Sequence, residues 1–206
     1  MLSMKERMIR GMPYRGDEEL WEDMRKVRRL LRTYNTTGED EFEYRTQLLK
    51  EMLGSIGEHI YIEPNFRCDY GSNITIGSHF YANFDCVILD VCPVTIGSHV
   101  LLGPQVGIYT ASHPIDAGVR ADMLEYGSPV TIGDDVWIGG HAVINGGVEI
   151  GGGSIIGSGS VVTKSIPAGV IAAGNPCRVI REITQEDAAY WQKQRAELEQ
   201  AAGLPR

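Results

Sequence analysis

The sequence predicts a mainly β solenoid built from six-residue repeats, with helices at both ends. An aliphatic residue recurs at every sixth position, at Ile132, Ile138, Ile144, Ile150, Ile156 and Val162. A second register lies two residues earlier, from Val130 and Val136 to Ile166. A helix cannot maintain this pattern because its 3.6-residue period drifts out of phase with six within two turns. A short strand and a tight turn can, with small residues such as Gly133 where the backbone needs unusual dihedral angles.

Stacking explains how such short units become stable. Coils about 4.8 Å apart bury a continuous aliphatic column and pair each strand with its neighbours above and below. The repeat begins near residue 60, and its in-phase aliphatic positions are Ile76, Ala82 and Ile88. Two extra residues follow near Pro93 and Val94, after which the register resumes at Ile96, Leu102 and Ile108. It fails from Thr110 to Ser128, and Val94–Gly97 reappears as Val130–Gly133. Segment 110–128 is therefore predicted to be an excursion from the solenoid, where functional residues usually lie.

The flanking segments carry helical signals. Residues 1–58 are predicted to form a helical cap, in which acidic residues after Asp17 favour a helix start and Gly54 ends the last helix. A basic run in this cap, interpreted as a solvated helix face with an anion site as the alternative, contains Arg25, Lys26, Arg28, Arg29 and Arg32. Residues 59–181 form the predicted solenoid, and residues 182–206 a C-terminal helix with Thr184 as its N-cap candidate.

Composition excludes several classes of protein. The net charge of −8 argues against general binding to nucleic acid or an anionic membrane. No apolar run approaches the roughly 20 residues that span a bilayer, and the N-terminus has no signal-peptide core. The four cysteines form no CxxC pair, and Cys86 and Cys92 occupy the inward register, which favours core packing over metal or redox chemistry. A cytoplasmic location is the default expectation.

Three motifs identify a resemblance that covers nearly the whole chain. They are Tyr81–Phe84, the loop pair Ala111–Pro114 and Glu125–Pro129, and the segment Gly174–Arg181. Together with the repeats they resemble the maltose, galactoside and nodulation-sugar O-acetyltransferases among the hexapeptide-repeat acyltransferases. The resemblance implies a left-handed parallel β-helix with three hexapeptides per triangular coil, an exception to the usual right-handed crossover. It also implies direct transfer of acetyl from acetyl-CoA to a sugar hydroxyl, no metal requirement, and a homotrimer whose sites lie between neighbouring chains.

The same resemblance assigns catalytic candidates. His113 matches the general base, and an imidazole titrating near pH 6.5 can take the hydroxyl proton and later return it to the CoA thiolate. Glu125 is either the residue that orients this imidazole or a solvated loop acid. Asn83 matches the residue that contacts the substrate and stabilises the tetrahedral oxyanion, as an amide donor is suited to do, although on its own it would be a turn asparagine.

Binding residues are assigned in the same way. Asp69 matches a sugar contact, and Asp17 matches another, although an N-cap role competes for it. Tyr81 and Trp137 match residues that line the pocket, on its substrate and cofactor sides respectively. The resemblance places the acetyl-CoA site at Trp137, Gly140, Ser158, Thr163, Lys164, Arg178 and Arg181. The lysine and the two arginines would contact the nucleotide phosphates. Relatives often carry a second Asp where this chain has Val91, which leaves the acceptor open.

Three alternatives remain at this point. The first is an acetyltransferase for a non-sugar or amino-sugar acceptor on the same scaffold; serine acetyltransferases, however, have a much longer helical N-terminal region. The second is a non-enzymatic assembly module, against which the set His113, Asn83 and Lys164 argues. The third is zinc chemistry like that of the γ-carbonic anhydrases, suggested by His79, His99 and His141. This chain has no His-x4-His pair, so these histidines are interpreted as exposed corner residues.

Overall fold

The computed structural model, which describes residues 1–203, shows a mainly β chain whose strands stack as a parallel solenoid of about six coils. The predicted fold class is therefore confirmed, with a helical region before the solenoid and a helix after it. The helices are α1 (Met4–Ile9), α2 (Glu18–Tyr34), α3 (Phe42–Met52), α4 (Ala117–Ala121) and α5 (Gln185–Ala202). Among the described residues no helix is both long and apolar enough to cross a membrane.

Each coil has three sides, and each side is a sheet. The first side contains β1 (Ser55–Ile56), β4 (Ile74–Ile76), β7 (Val94–Ile96), β12 (Val130–Ile132) and β15 (Glu149–Ile150). The second contains β2 (Tyr61–Ile62), β5 (Tyr81–Ala82), β8 (Leu101–Leu102), β13 (Trp137–Ile138), β16 (Ile155–Ile156), β18 (Val170–Ala173) and β19 (Arg178–Glu182). The third contains β3 (Arg67–Cys68), β6 (Val87–Leu89), β9 (Gly107–Tyr109), β14 (Val143–Asn145) and β17 (Val161–Val162).

The six-residue periodicity is the core of the molecule. All six aliphatic residues of the predicted column are at most 1% exposed, from Ile132 to Val162. The restart of the coil after the excursion is also confirmed, because Val130 pairs with Val94 and Ile132 with Ile96. Burying one such side chain contributes about 2–3 kcal/mol, so the stacked column is the main source of stability in the solenoid.

Tight corners join the sides. Corner A, between the first and second sides, includes His59, His79, His99 and Asp135; corner B, between the second and third sides, includes Asp85, Gln105 and His141. All seven residues adopt left-handed backbone angles, with φ between 56 and 60°. The interpretation of the histidines as exposed corner residues is confirmed, and the imidazoles of His59, His79 and His99 stack with centroids 4.7 and 5.0 Å apart.

Corner C, between the third and first sides, differs from the other two in length. Ile76 and Ile96, which pair on successive coils, are 20 residues apart, whereas Ile132 and Ile150 are 18 apart. The two additional residues of each early coil lie at corner C, where residues 69–73 and 89–93 connect the sides. The excursion 110–128 leaves the third coil at the same corner. Three successive coils therefore place their insertions in one column.

The helical cap is fixed to the first coil by buried polar contacts. The Tyr34 hydroxyl donates to the Ile62 carbonyl at 2.5 Å, and the Asn35 side chain exchanges two hydrogen bonds with the Phe66 backbone. Helix α1 was not separately predicted, although its Ser3–Glu6 capping box is visible in the sequence. It packs with Tyr14, Leu20 and Cys92 in a second apolar cluster.

The C-terminal segment closes the solenoid differently from the prediction. Strand β19 runs antiparallel to β18 and extends to Glu182, so the start of the predicted helical range 182–206 belongs to a strand. Thr184 caps α5 as expected, and Asp187 completes a capping box. The last three residues of that range lie outside the described residues. An antiparallel strand satisfies the open edge of the last coil, which a parallel repeat alone would leave unpaired.

Candidate active site

Corner C is built around the buried carboxylate of Asp90. Its Oδ1 accepts the backbone N–H groups of Asp69 and Tyr70 at 3.0 and 2.9 Å, and its side chain is 0% exposed. Asn73 closes the turn, because its side-chain amide donates to the Asp90 carbonyl at 2.7 Å. Burial raises the pKa of Asp90 to about 7, although the backbone donors act in the opposite direction. Asp90 thus holds in place the turn that carries Asp69.

Asp69 is half-buried beside this turn. Burial raises the pKa of its carboxyl group, the Arg28 guanidinium lowers it, and the Glu125 carboxylate raises it again. Charges on α2 and on the excursion therefore both act on Asp69 of the first coil. Asp69 was predicted from the resemblance to contact the substrate, and this role stays a prediction. The structural role of Asp90 was not predicted.

The excursion is an ordered structure and not a featureless loop. Strands β10 (Ala111–Ser112) and β11 (Tyr126–Gly127) pair antiparallel at its base, and α4 lies between them. His113 directly follows β10 and is exposed, with no hydrogen bond among the described residues. Arg120 donates to the carbonyls of Pro114 and Ile115 at 2.8 and 3.0 Å, which fixes the backbone after His113. The imidazole is therefore presented to solvent on a braced segment.

Glu125 joins the excursion to the helical cap. Its carboxylate accepts the Tyr14 hydroxyl at 2.6 Å, and the two backbones form an isolated antiparallel bridge. Burial and this hydrogen bond both raise the pKa of the Tyr14 phenol, so Tyr14 remains a donor at neutral pH. Glu125 is half-buried, so it is not a freely solvated acid, and within the described chain it contacts Tyr14 and makes no hydrogen bond to His113.

Asp17 occupies the N-cap of α2. Its carboxylate accepts the Leu20 backbone N–H at 3.0 Å, which satisfies one of the free donors of the first helical turn. The remaining oxygen is free to bind a ligand, and the residue is half-buried. The N-cap role expected from the sequence is confirmed, whereas the sugar contact stays a prediction.

Corner B gathers a second group of candidates. Asn83, Gly103, Gly139 and Gly157 stack on successive coils, because Asn83 donates its backbone N–H to Leu102 and each following residue repeats the contact. The Asn83 side chain accepts the Phe84 backbone N–H at 2.8 Å, which leaves its amide N–H groups available. Gly140 and Ser158 occupy the next position of this corner, and on the adjoining second side Tyr81 and Trp137 both pair with Leu101.

The last coils carry the remaining candidates. Thr163 and Lys164 follow β17 and are exposed at corner C, as the pairing of Ile144 with Val162 requires. Arg178 begins β19, and its guanidinium donates to the Cys177 carbonyl. Arg181 forms a two-pronged ion pair with Asp187 at 2.6 and 2.8 Å. That ion pair was not predicted from the sequence, and it means that Arg181 already has an anionic partner within the chain.

The candidates thus fall into two groups that one chain does not bring together. Asp69, His113 and Lys164 belong to corner C, whereas Asn83 and Gly140 belong to corner B. The corners are separated by the third side, a few extended residues or roughly 15 Å. No hydrogen bond joins His113 to Asn83 anywhere in residues 1–203.

The cysteines are buried and are not grouped with other metal-ligating side chains among the described residues. Cys86 and Cys92 are 0% exposed, as the inward register predicted, and burial raises the pKa of both thiols, that of Cys86 to about 11. Cys92 packs against α1, with its thiol 3.1 Å from the Met8 carbonyl, and not in the main aliphatic column. Within the described part of the chain, no three His, Cys, Asp or Glu side chains are grouped to hold a metal ion.

A parallel solenoid of six-residue repeats with a histidine-bearing excursion defines the class of hexapeptide-repeat acyltransferases. The chain matches the bacterial transferase hexapeptide model of six repeats over residues 129–164 and the maltose acetyltransferase hexapeptide capping motif over residues 7–57. It belongs to the maltose and galactoside O-acetyltransferase family and is an acyltransferase.

Individual relatives support this assignment. The galactoside O-acetyltransferase of Escherichia coli K12 is 47% identical, and the match covers 85% of this chain and 87% of the relative. The crystal structure of a maltose O-acetyltransferase from Clostridium difficile 630 is 51% identical, covering 89% of this chain and 98% of that chain, with a TM-score of 0.88. A galactoside acetyltransferase solved in complex with coenzyme A is 45% identical, covering 91% and 94%, also with a TM-score of 0.88.

Proposed function

We propose that the protein transfers an acetyl group from acetyl-CoA to a hydroxyl of a sugar, at a site between two chains of a homotrimer. The observation that carries the proposal is the column at corner C, where Asp69, Asp90 and the His113 excursion occupy successive coils. A braced, exposed imidazole at the same corner as the half-buried Asp69 carboxylate is suited to hold and deprotonate a polyol. Relatives named galactoside O-acetyltransferase and maltose O-acetyltransferase support a sugar acceptor, and a galactoside acetyltransferase solved in complex with coenzyme A supports the donor.

The chemical step uses the imidazole twice. His113 takes the proton of the acceptor hydroxyl while the oxygen forms a bond to the thioester carbonyl carbon. The resulting tetrahedral oxyanion is stabilised by the Asn83 side-chain amide, which has its N–H groups available. The C–S bond then breaks, and the imidazolium returns the proton to the CoA thiolate. No covalent enzyme intermediate is needed, and the buried cysteines Cys86 and Cys92 take no part.

Cofactor binding is assigned to the outer surface of the upper coils. At corner B the chain exposes Gly140 and Ser158, so backbone groups are accessible to an extended acyl chain, with the half-exposed indole of Trp137 beside them. Thr163, Lys164, Arg178 and Arg181 supply a hydroxyl and cations for the nucleotide phosphates. Thr163 and Lys164 lie at corner C, whereas Arg178 and Arg181 belong to β19 on the second side, with Arg178 at its corner B end. Because cofactor candidates occupy both corners, we propose that one chain's corner B faces a neighbour's corner C in the trimer. Closed threefold symmetry gives three equivalent sites.

On the acceptor side, Asp69, Tyr81 and Asp17 are assigned to sugar binding, and Glu125 fixes the excursion through its hydrogen bond with Tyr14. Val91 is 4% exposed and packs in the apolar cluster with Tyr14, so it offers no polar contact to a sugar. Four buried free cysteines agree with a reducing, cytoplasmic environment, which we propose for the protein.

The test is an acceptor screen that follows the release of free CoA. Glucosides, galactosides, maltose, amino sugars and serine are each offered with acetyl-CoA. We expect turnover with at least one neutral or charged sugar, with the acetyl ester retained on oxygen in the product. Turnover with serine or an amino group only would instead establish the alternative acceptor class, and the sugar proposal would be wrong.

A further inference from the structure

An open cleft of about 690 Å³ lies between α2 and the third side of the solenoid. It extends from Asn65 at corner B to Asp69 at corner C, and its floor is formed by the outward side chains of Val87 and Leu89. This volume is that of a site for a small organic ligand. The rigid contacts of Asn35 with the first coil hold α2 at this distance from the sheet.

Three guanidinium groups line the cleft, those of Arg28, Arg32 and Arg67. Among the described residues none of the three has an ion-pair or hydrogen-bond partner. Two other basic residues of α2 behave differently: Arg25 pairs with Glu18 and Glu22, and Arg29 pairs with Glu22. In the basic run of α2, Arg25 and Arg29 are therefore neutralised by acidic residues of the same helix, whereas Arg28 and Arg32 face the cleft without an ion pair among the described residues.

Charge makes this face distinctive. The chain as a whole carries a net charge of −8, yet the cleft holds three permanent cations and one carboxylate, that of Asp69. Guanidinium groups bind phosphate, sulfate and carboxylate oxygens through paired, charge-assisted hydrogen bonds. Several uncompensated cations over a half-apolar floor are suited to a ligand that joins a carbon framework to an anionic group.

We propose that the cleft binds an anionic substituent of the acceptor, so that the substrate class is acidic glycosides. This inference rests on the proposed function, because Asp69 belongs both to the acceptor site and to the cleft. The reacting sugar ring would lie at the Asp69 end, near the excursion. A phosphate, sulfate or carboxylate attached through the anomeric oxygen would extend along the third side to Arg32 and Arg67.

Matched acceptors test the proposal. The values of kcat/KM are measured for glucose 1-phosphate and for methyl α-D-glucopyranoside at low ionic strength. We expect the phosphorylated acceptor to be preferred by roughly tenfold or more, and the preference to decline in added salt. The ratio falls toward one in Arg32→Gln and Arg67→Gln, and Arg29→Gln, whose charge is paired outside the cleft, serves as the control that keeps it.

Several results would overturn the proposal. One is equal kcat/KM values for the two acceptors in the wild-type protein, and another is an unchanged ratio of these values in both cleft variants. The third is a preference for glucose 1-phosphate that remains in Arg67→Gln and that added inorganic phosphate abolishes as strongly as in the wild-type protein. If neither sugar is acetylated, calorimetric titration with glucose 1-phosphate separates the two hypotheses. Binding that is lost in Arg67→Gln supports the anionic cleft even without turnover, whereas no binding refutes the cleft; the acceptor screen decides the proposed function separately.

Discussion

Asp90 illustrates how a single buried group can organise a site that it does not enter. Its Oδ1 alone accepts two backbone N–H groups, so the conformation of the turn at Asp69 depends on that oxygen. The second oxygen has one long contact, to the Asn73 N–H at 3.4 Å. A buried carboxylate with so few partners on one oxygen is costly to ionise, which is why its pKa is raised to about 7.

The raised pKa of Asp90 makes a signed prediction about stability. The pKa of this carboxyl group rises from 3.8 in the unfolded chain to about 7 in the folded protein. Its contribution to stability is therefore fully present at a pH below 3.8 and is lost as the pH rises through 7. Between pH 5 and pH 8 the free energy of unfolding of the wild-type protein should fall by on the order of 2 kcal/mol more than that of Asp90→Asn. This variant keeps an accepting oxygen but cannot ionise. Denaturant unfolding of both proteins at the two pH values measures the difference, and parallel pH dependences would contradict it.

His113 is the residue on which the chemistry depends. His113→Ala should lower turnover by at least the ~10²–10⁴ that a positioned base contributes, because the imidazole that takes the acceptor proton is removed. Binding of CoA should barely change, since the cofactor residues lie on other elements. Single-turnover kinetics and equilibrium titration with CoA check both statements, and wild-type turnover in the variant would assign the base to another residue.

At this scale the sequence supplied candidate residues but not their contacts. His113, Asn83 and Asp69 were assigned from the resemblance of the motifs that carry them, and their roles stay predictions. The Asp90 interactions, the Tyr14–Glu125 hydrogen bond and the Arg181–Asp187 ion pair were not predicted. The first two depend on segments that are distant in the chain, and periodicity within a repeat carries no information about such pairs.

Among the elements, the excursion is the most informative. It is anchored at its base by the β10–β11 pair and at its side by the bridge from Glu125 to Tyr14. The helical cap therefore acts on the excursion directly and not only on the end of the solenoid. Without the capping segment, the half-buried Glu125 carboxylate would lose its donor.

Removing that donor should loosen the excursion. Tyr14→Phe deletes a 2.6 Å hydrogen bond to a carboxylate, which typically costs about 1.5–3 kcal/mol. We expect faster hydrogen exchange in residues 110–128 and a several-fold higher KM for the acceptor, with the KM for acetyl-CoA little altered. Tyr44→Phe, at an exposed position of α3, is the matched control. Unchanged exchange in the excursion would show that the bridge does not restrain it.

The last coil provides a separate prediction for the cofactor. Arg178→Gln should raise the KM for acetyl-CoA several-fold and leave that of the acceptor largely alone, because a cation near phosphate acts on only one substrate. Arg181→Gln also breaks the pair with Asp187, so Asp187→Asn is its control. If Arg181 meets phosphate, only the arginine variant raises the KM; equal effects would assign Arg181 to the structure of the C-terminal segment. Steady-state kinetics with both substrates varied decides this.

Elements differed in how readily they could be predicted. The solenoid strands were recovered because every coil repeats the same pattern, and Thr184 was recognised from its position before an acidic helix start. The order within the excursion, where α4 and two strands form, was not predicted, because the repeat stops and no second period replaces it. The antiparallel β19 was also missed, since its five residues lie on the surface and show no alternation of burial.

For the whole molecule, the central question is how corners B and C meet. Each chain holds one half of the proposed site at each corner, and the third side keeps them apart. A homotrimer, with a mass near three times 22.7 kDa, would bring each corner B to a neighbour's corner C. The excursion at corner C is then the natural segment to reach the adjoining chain.

Complementation between two inactive variants tests this arrangement most directly. His113→Ala and Asn83→Ala are each expected to have low activity alone, and the two are mixed as dissociated chains and reassembled. If each site takes His113 from one chain and Asn83 from its neighbour, random reassembly gives about a quarter of the sites both native residues, so activity returns to roughly that fraction. Reassembly of each variant alone is the control. Activity that stays at the level of the separate variants, in trimers shown by light scattering to be mixed, would contradict the shared site.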